Sequence, residues 1–133
     1  MEQIEEMYTS NGMSLNEYQE KAMTTCTESS NNDTYAFFQL SAECGELMDK
    51  VAKGRRKGII SIDENVIQPR HGRDPHKKEF EDGVKKELGD VLWSVAQIAH
   101  RFSWSLEEVA QLNLDKLADR AKRNVIIGDG DNR

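Results

Sequence analysis

Residues 43–47 read Glu-Cys-Gly-Glu-Leu and residues 87–91 read Glu-Leu-Gly-Asp-Val, so the chain spells acid, any residue, glycine, acid, aliphatic twice. Each copy lies in a stretch whose apolar residues recur at helical spacing. With Glu43 at zero on a wheel of about 100° per residue, Ala36, Leu47, Leu40, Val51, Cys44, Phe37 and Met48 fill about 20° to 140°. With Glu87 at zero, Ile98, Val91, Val84, Phe102, Val95, Leu88, Ala99 and Leu92 fill the same arc. In both helices the first acid borders the stripe and the second lies about 60° further out. Two helices so patterned, packed side by side and antiparallel, bring Glu43, Glu46, Glu87 and Asp90 to one edge of a core. The repeated glycine costs a helix interior roughly 1 kcal/mol, and its missing Cβ would admit a close helix or ligand.

Four carboxylates in hydrogen-bonding range repel unless a hard divalent cation neutralises them. Oxygen-only ligands favour Mg²⁺, with Mn²⁺ as a substitute. The competing reading is plain: a single E-x-x-E on a helix is usually solvated surface, and only its repetition in phase argues for a metal. A later segment adds the opposite charge. Asn113, Lys116 and Arg120 share one edge of their helix, beside the stripe of Leu106, Leu117, Ala110, Ala121 and Leu114. Lysine and arginine one turn apart usually make surface ion pairs. Next to a carboxylate-held cation they suit phosphate: a point charge, a planar fork and a neutral amide.

The predicted architecture is all-α and bundle-like, a single domain over residues 1–133 with four helical segments. "SLNEYQEKAMTTCTE" opens with a capping box, Ser14 and Glu17. "DTYAFFQLSAECGELMDKVAKG" is capped by Asp33 or Thr34 and stops at Gly54. "FEDGVKKELGDVLWSVAQIAHRF" runs from about Phe80 to Phe102. "SLEEVAQLNLDKLADRAKR" repeats the capping box with Ser105 and Glu108. Between the second and third, about residues 54–80 form a long irregular or partly β insertion, where "IISI" and "ENVIQ" pair as a small hairpin. Residues 124–133 read as a flexible tail.

Composition closes off several functions. The chain has 133 residues, 32% of them charged and 37% hydrophobic, with a net charge of −6. That balance suits a helical protein with much wetted surface, or one that completes its core by oligomerising. It argues against nucleic-acid or membrane binding, which needs a basic footprint. No apolar run is long enough to span a membrane, and the acidic start is no signal peptide, so the expected location is the cytoplasm. The cysteines, Cys26 and Cys44, have no metal-ligand spacing, and Cys44 reads as a small buried thiol.

With these residues in place, the chain resembles the MazG-like, all-α nucleoside triphosphate pyrophosphohydrolases. Their motif, E-E-x-x-E followed after a spacer by E-x-x-D, falls on Ala42, Glu43 and Glu46, then Glu87 and Asp90. "KELGDVLWSVAQIA", "NLDKL", "NEYQEKAM" and "GDGDNR" add to the likeness, which covers residues 14–133 apart from the insertion. Two departures stand out: Ala42 replaces the first glutamate, and the spacer between Glu46 and Glu87 is 40 residues, longer than usual. The resemblance implies Mg²⁺-dependent cleavage of a nucleoside triphosphate to a monophosphate and pyrophosphate. It implies metal ligands at Glu43, Glu46, Glu87 and Asp90, and phosphate contacts at Lys116 and Arg120 with Asn113 as a third. Glu46 is the expected general base.

Other residues read as structural. Trp93 and His100 lie opposite the acid edge and suggest subunit packing. His71 and His76 are expected to be solvated loop residues, and Tyr35 and Phe38 to be core rather than base-stacking platforms. The distal glutamate of a calcium loop does not follow "DGDN". The tail is expected to fold over a neighbour's site, with Asn132 or Arg133 as phosphate contacts. The alternative to an enzyme is a helical oligomerisation or regulatory module that binds nucleotide or metal without turnover.

Overall fold

A computed structural model describes residues 12–70 and 74–127. The described residues form four α-helices, a short 3₁₀ turn and one hairpin. Helix α1 spans Leu15–Met23, with the Ser14 and Glu17 capping box formed in both directions. It ends well before the predicted segment does. The Thr24 and Thr25 hydroxyls donate back to the Lys21 and Ala22 carbonyls at 2.6 and 2.7 Å, competing with further helical bonds. Cys26 therefore leaves the helix, and a 3₁₀ turn at Glu28–Ser30 follows.

Helix α2 spans Asp33–Arg56. Its cap is Asn32, one residue before the expected Asp33 or Thr34, with Oδ1 accepting from the Tyr35 amide at 2.8 Å. Nor does it stop at Gly54. The stop is Gly58, at φ +67°, where the Gly58 and Ile59 amides bond back to Arg55 and Gly54 at 3.0 and 2.9 Å. Gly54 serves packing instead: a Cβ there would lie 3.2 Å from both Ile60 and Phe80.

Strands β1 (Ile60–Asp63) and β2 (Val66–Pro69) pair antiparallel, Asp63 opposite Val66. The expected hairpin is present. Its two-residue turn, Glu64 at φ 44° and Asn65 at φ 69°, has the left-handed backbone of a type I′ connection. Ile60 is 2% exposed and anchors the hairpin against Gly54.

Helix α3, Asp74–Arg101, begins six residues earlier than the sequence suggests and takes His76 out of the insertion. Pro75 is compatible because a first-turn residue needs no amide donor. His76 sits in that turn, 3.6 Å from Glu79, rather than in a loop. His71 and the end of the chain from residue 128 lie outside the described residues. Helix α4, Leu106–Lys122, is capped by Ser105, which accepts from the Glu108 amide at 3.1 Å.

Helices α2 and α3 run antiparallel. Arg101 Nε donates to Asp33 Oδ1 at 2.7 Å at one end, and Phe80 meets Gly54 at the other. The buried face of α3 beneath α1 extends beyond the stripe the wheel assigned to the core. Ala99, within that stripe, is buried with Ala96 and Leu106, and Ser94 and Gln97, outside it, are both fully buried. Gln97 donates to the Ser30 carbonyl at 2.7 Å. Gln19 donates to the Trp104 carbonyl and accepts from the Leu106 amide, each at 2.9 Å. Hydrogen bonding at both ends makes the Gln19 amide acceptable in a core, whereas Gln97 is held through its nitrogen and its Oε1 has no partner among the described residues. Trp93 also packs within the chain, its indole N–H donating to Ala22 O at 3.1 Å and Thr25 Oγ1 at 2.9 Å.

The expected stripe is covered only in part. Phe37, Met48, Leu88, Leu92 and Phe102 are 40–63% exposed, and Cys44 is exposed rather than buried. Tyr35 and Phe38, expected in the core, are exposed as well. None of the described helices is long and apolar enough to cross a membrane.

Candidate metal and phosphate site

The antiparallel register of α2 and α3 delivers the acids. Glu43 and Glu46 stand one turn apart on α2, and Glu87 faces them from α3. Each offers a carboxylate oxygen within 4.8 Å of the other two. Two ligands on opposite sides of a Mg²⁺ or Ca²⁺ ion are about 4 to 5 Å apart, so this spread matches one coordination sphere. The donor set is all oxygen, as a hard cation requires. Glu87 is nearly buried at 9% exposure, Glu43 is half-buried and Glu46 is open to solvent.

Asp90, the fourth expected ligand, lies outside this tight group but shares its edge. Its charge acts on Glu43 across the helix pair. Burial first, and then the negative charges of Asp90, Glu46 and Glu87, push the Glu43 carboxyl above its usual range, while a hydrogen bond from Gln39 opposes them.

Lys50, one turn beyond Glu46, was not singled out from the sequence. Its ammonium lies 3.1 Å from Glu87 Oε1. Seven residues after Glu43, it falls on the same helix face, so its position was legible. Its partner was not, because Lys at i+4 from Glu46 reads as an ordinary pair within one helix.

The basic set is placed differently. Asn113 and Lys116 are exposed on α4, whereas Arg120 is 6% exposed and buried, not at the open edge the wheel gave it. Helix α4 touches both α1 and α3, and a wheel drawn for one packing interface misplaces the edge of such a helix. None of the groups acting on Glu43 comes from α4. The motif glycines also differ from expectation. A Cβ on Gly45 or Gly89 would meet nothing within 4 Å, so within one chain they admit no close helix.

A family model of the MazG nucleotide pyrophosphohydrolase domain matches residues 37–125, spanning both acid pairs and all of α4. The chain belongs to the MazG nucleotide pyrophosphohydrolase family. It is also 39% identical over 100 residues to the Gene 37 protein of Mycobacterium phage L5, covering 75% of each chain. No solved structure gives a significant match. The MazG match gives the carboxylate group a context, since members of this family typically depend on a metal and the three glutamates fit one.

Proposed function

We propose that this MazG protein is a Mg²⁺-dependent nucleoside triphosphate pyrophosphohydrolase, with Mn²⁺ as a substitute, that returns nucleotides to monophosphates as pool clean-up. The observation that carries this reading is the convergence of Glu43, Glu46 and Glu87 within 4.8 Å on an antiparallel helix pair of a MazG domain.

Glu43 and Glu87, the less exposed carboxylates, hold the cation, with Asp90 completing the edge. A bound Mg²⁺ supplies charge neutralisation on the phosphates and a water of lowered pKa. Glu46, open to solvent, takes the proton from the attacking water as general base. Asn113 and Lys116, exposed on α4, and Arg120, once its side chain is uncovered, hold phosphate oxygens and stabilise the departing pyrophosphate. The exposed stripe of α2 and α3 is covered by further copies of the chain in a homodimer or homotetramer. Covering it would remove several half-exposed aliphatic and aromatic side chains from water.

Pyrophosphate release from a panel of ribo- and deoxynucleoside triphosphates tests this directly. Wild-type protein with Mg²⁺ is expected to turn over at least one of them. The same protein in EDTA, and a folded Glu46→Gln, Asp90→Asn variant, are expected to release none. If folded wild type is stabilised by nucleotide and Mg²⁺ but yields no product, the protein is a binding module and the hydrolase reading fails.

A further inference from the structure

Two of the three carboxylates in the acid group are held from outside it. On α2, Gln39 stands one turn before Glu43 and donates its side-chain amide to Glu43 Oε1. From the same helix, Lys50 reaches Glu87 Oε1 at 3.1 Å. Gln39, Glu43, Glu46 and Lys50 fall within about 60° of one another around the helix, so the two donors bracket the acid edge. Glu46, open to solvent, makes no hydrogen bond or ion pair among the described residues. An amide and a carboxylate one turn apart are ordinary on an open helix face. Here the carboxylate also offers an oxygen within 4.8 Å of two others.

Each contact occupies one oxygen of a carboxylate that has two. Glu43 is half-buried and Glu87 nearly buried, so water is poorly placed to replace a bond once it is broken. Turning either carboxylate to present both oxygens to an ion would sacrifice a charge-assisted hydrogen bond. Both are thereby biased to give one oxygen each. Ala42, exposed beside Glu43, adds none. The resulting donor set is poor in oxygen. Ca²⁺ seeks about six to eight oxygens and often takes both from one carboxylate, whereas Mg²⁺ uses few carboxylates and keeps several waters. Gln39 also acts on charge. Its hydrogen bond favours the ionised form of Glu43 against burial and the neighbouring acids, and only that form holds a cation.

We propose that Gln39 is a positioning residue that keeps Glu43 a single-oxygen ligand and so tunes the carboxylate group to Mg²⁺ or Mn²⁺ over Ca²⁺. This rests on the reading of the group as a cation site, and not on what the protein does to a triphosphate. Gln39 does not touch the ion. It decides how much of Glu43 the ion can take.

The test is competition of Mg²⁺ and of Ca²⁺ against Mn²⁺ on the full chain without nucleotide, with free Mn²⁺ followed by electron paramagnetic resonance. Wild type is compared with Gln39→Met, which removes the donor, and Gln39→Lys, which keeps one. Both replacements are good helix formers, and circular dichroism checks that the helices are retained. Gln39→Met is expected to bind Mg²⁺ about tenfold more weakly while its Ca²⁺ affinity holds, so the preference for Mg²⁺ falls by the same factor. Gln39→Lys is expected to keep the wild-type preference, although its charge lowers both affinities. A wild-type preference in Gln39→Met, or equal weakening of both ions, overturns the positioning role and leaves the cation site standing. Folded wild type that binds no Mn²⁺ would instead bring down the cation reading, and this role with it.

Discussion

Lys50 Nζ lies 3.1 Å from Glu87 Oε1, so a cation from α2 already rests against the most buried carboxylate of the acid group. The lysine is about half-exposed while Glu87 is nearly buried, an asymmetry that sets the cost of losing either partner. Removing Lys50 leaves a poorly hydrated carboxylate beside two others. Solvent screening at the lysine holds the loss to about 1 kcal/mol. Lys50→Met is expected to be less stable than wild type by that amount in urea with EDTA, and to recover most of it with Mg²⁺ or Mn²⁺, which replaces the missing ammonium. The same deficit with and without divalent cation would show that no ion binds near Glu87.

Glu43 gives the fold a pH dependence of definite sign. Its carboxyl is pushed above the ordinary value of 4.5 by burial and by the surrounding acids, so the folded chain holds this proton more tightly than the unfolded chain. The stability it contributes is complete below 4.5 and is lost as pH rises through the elevated folded value. Glu17 and Asp82, both lowered by hydrogen bonds, act in the opposite direction, so the comparison must isolate Glu43. In EDTA, urea midpoints of wild type are expected to fall relative to those of Glu43→Gln between mildly acid and neutral pH. With Mg²⁺ the gap should close. Parallel profiles in EDTA would remove Glu43 from the coupled group.

The exposed stripe predicts an assembly. Met48, 63% exposed on α2, and Leu92, 40% exposed on α3, lie on the flank that also carries Phe37 and Phe102. Wild type is expected to sediment as a multiple of its 15.2 kDa chain mass, and Met48→Asp with Leu92→Asp to sediment at that mass with its helical circular dichroism retained. Buried unpaired carboxylates at such an interface are too costly to keep. A wild-type monomer would mean that the stripe stays in water.

The acids were legible because helical phase sets them on one edge of each helix, and antiparallel pairing of α2 and α3 brings those edges together. Glu43, Glu46 and Glu87 meet as the repeated pattern implies, and the hairpin announced itself through β-branched runs on either side of Glu64-Asn65. The full width of α3's buried face was not legible. Beyond Ala99 it takes in Ser94 and Gln97, with Gln19 reaching across from α1, and buried polar residues leave no apolar signature. Helix ends were misjudged where backbone geometry outranked composition. Gly54, inside α2, answers to packing against Ile60 and Phe80, whereas Gly58 supplies the left-handed stop. Lys50 escaped because its partner Glu87 lies on another helix, which periodicity does not record, and the burial of Arg120 was missed because α4 packs against both α1 and α3.

The hairpin explains how a 40-residue spacer leaves the carboxylates undisturbed. Gly54, Ile60 and Phe80 clamp its base, so α2 and α3 are held in register below the point where the strands depart. Whatever lies beyond that clamp, from Ile62 around the turn to Ile67, can lengthen, shorten or change sequence at small entropic cost without turning Glu43 away from Glu87. Insertion length and the geometry of the carboxylate cluster are thereby decoupled. The tip of the hairpin is free to vary while the arrangement of acids beneath it stays fixed.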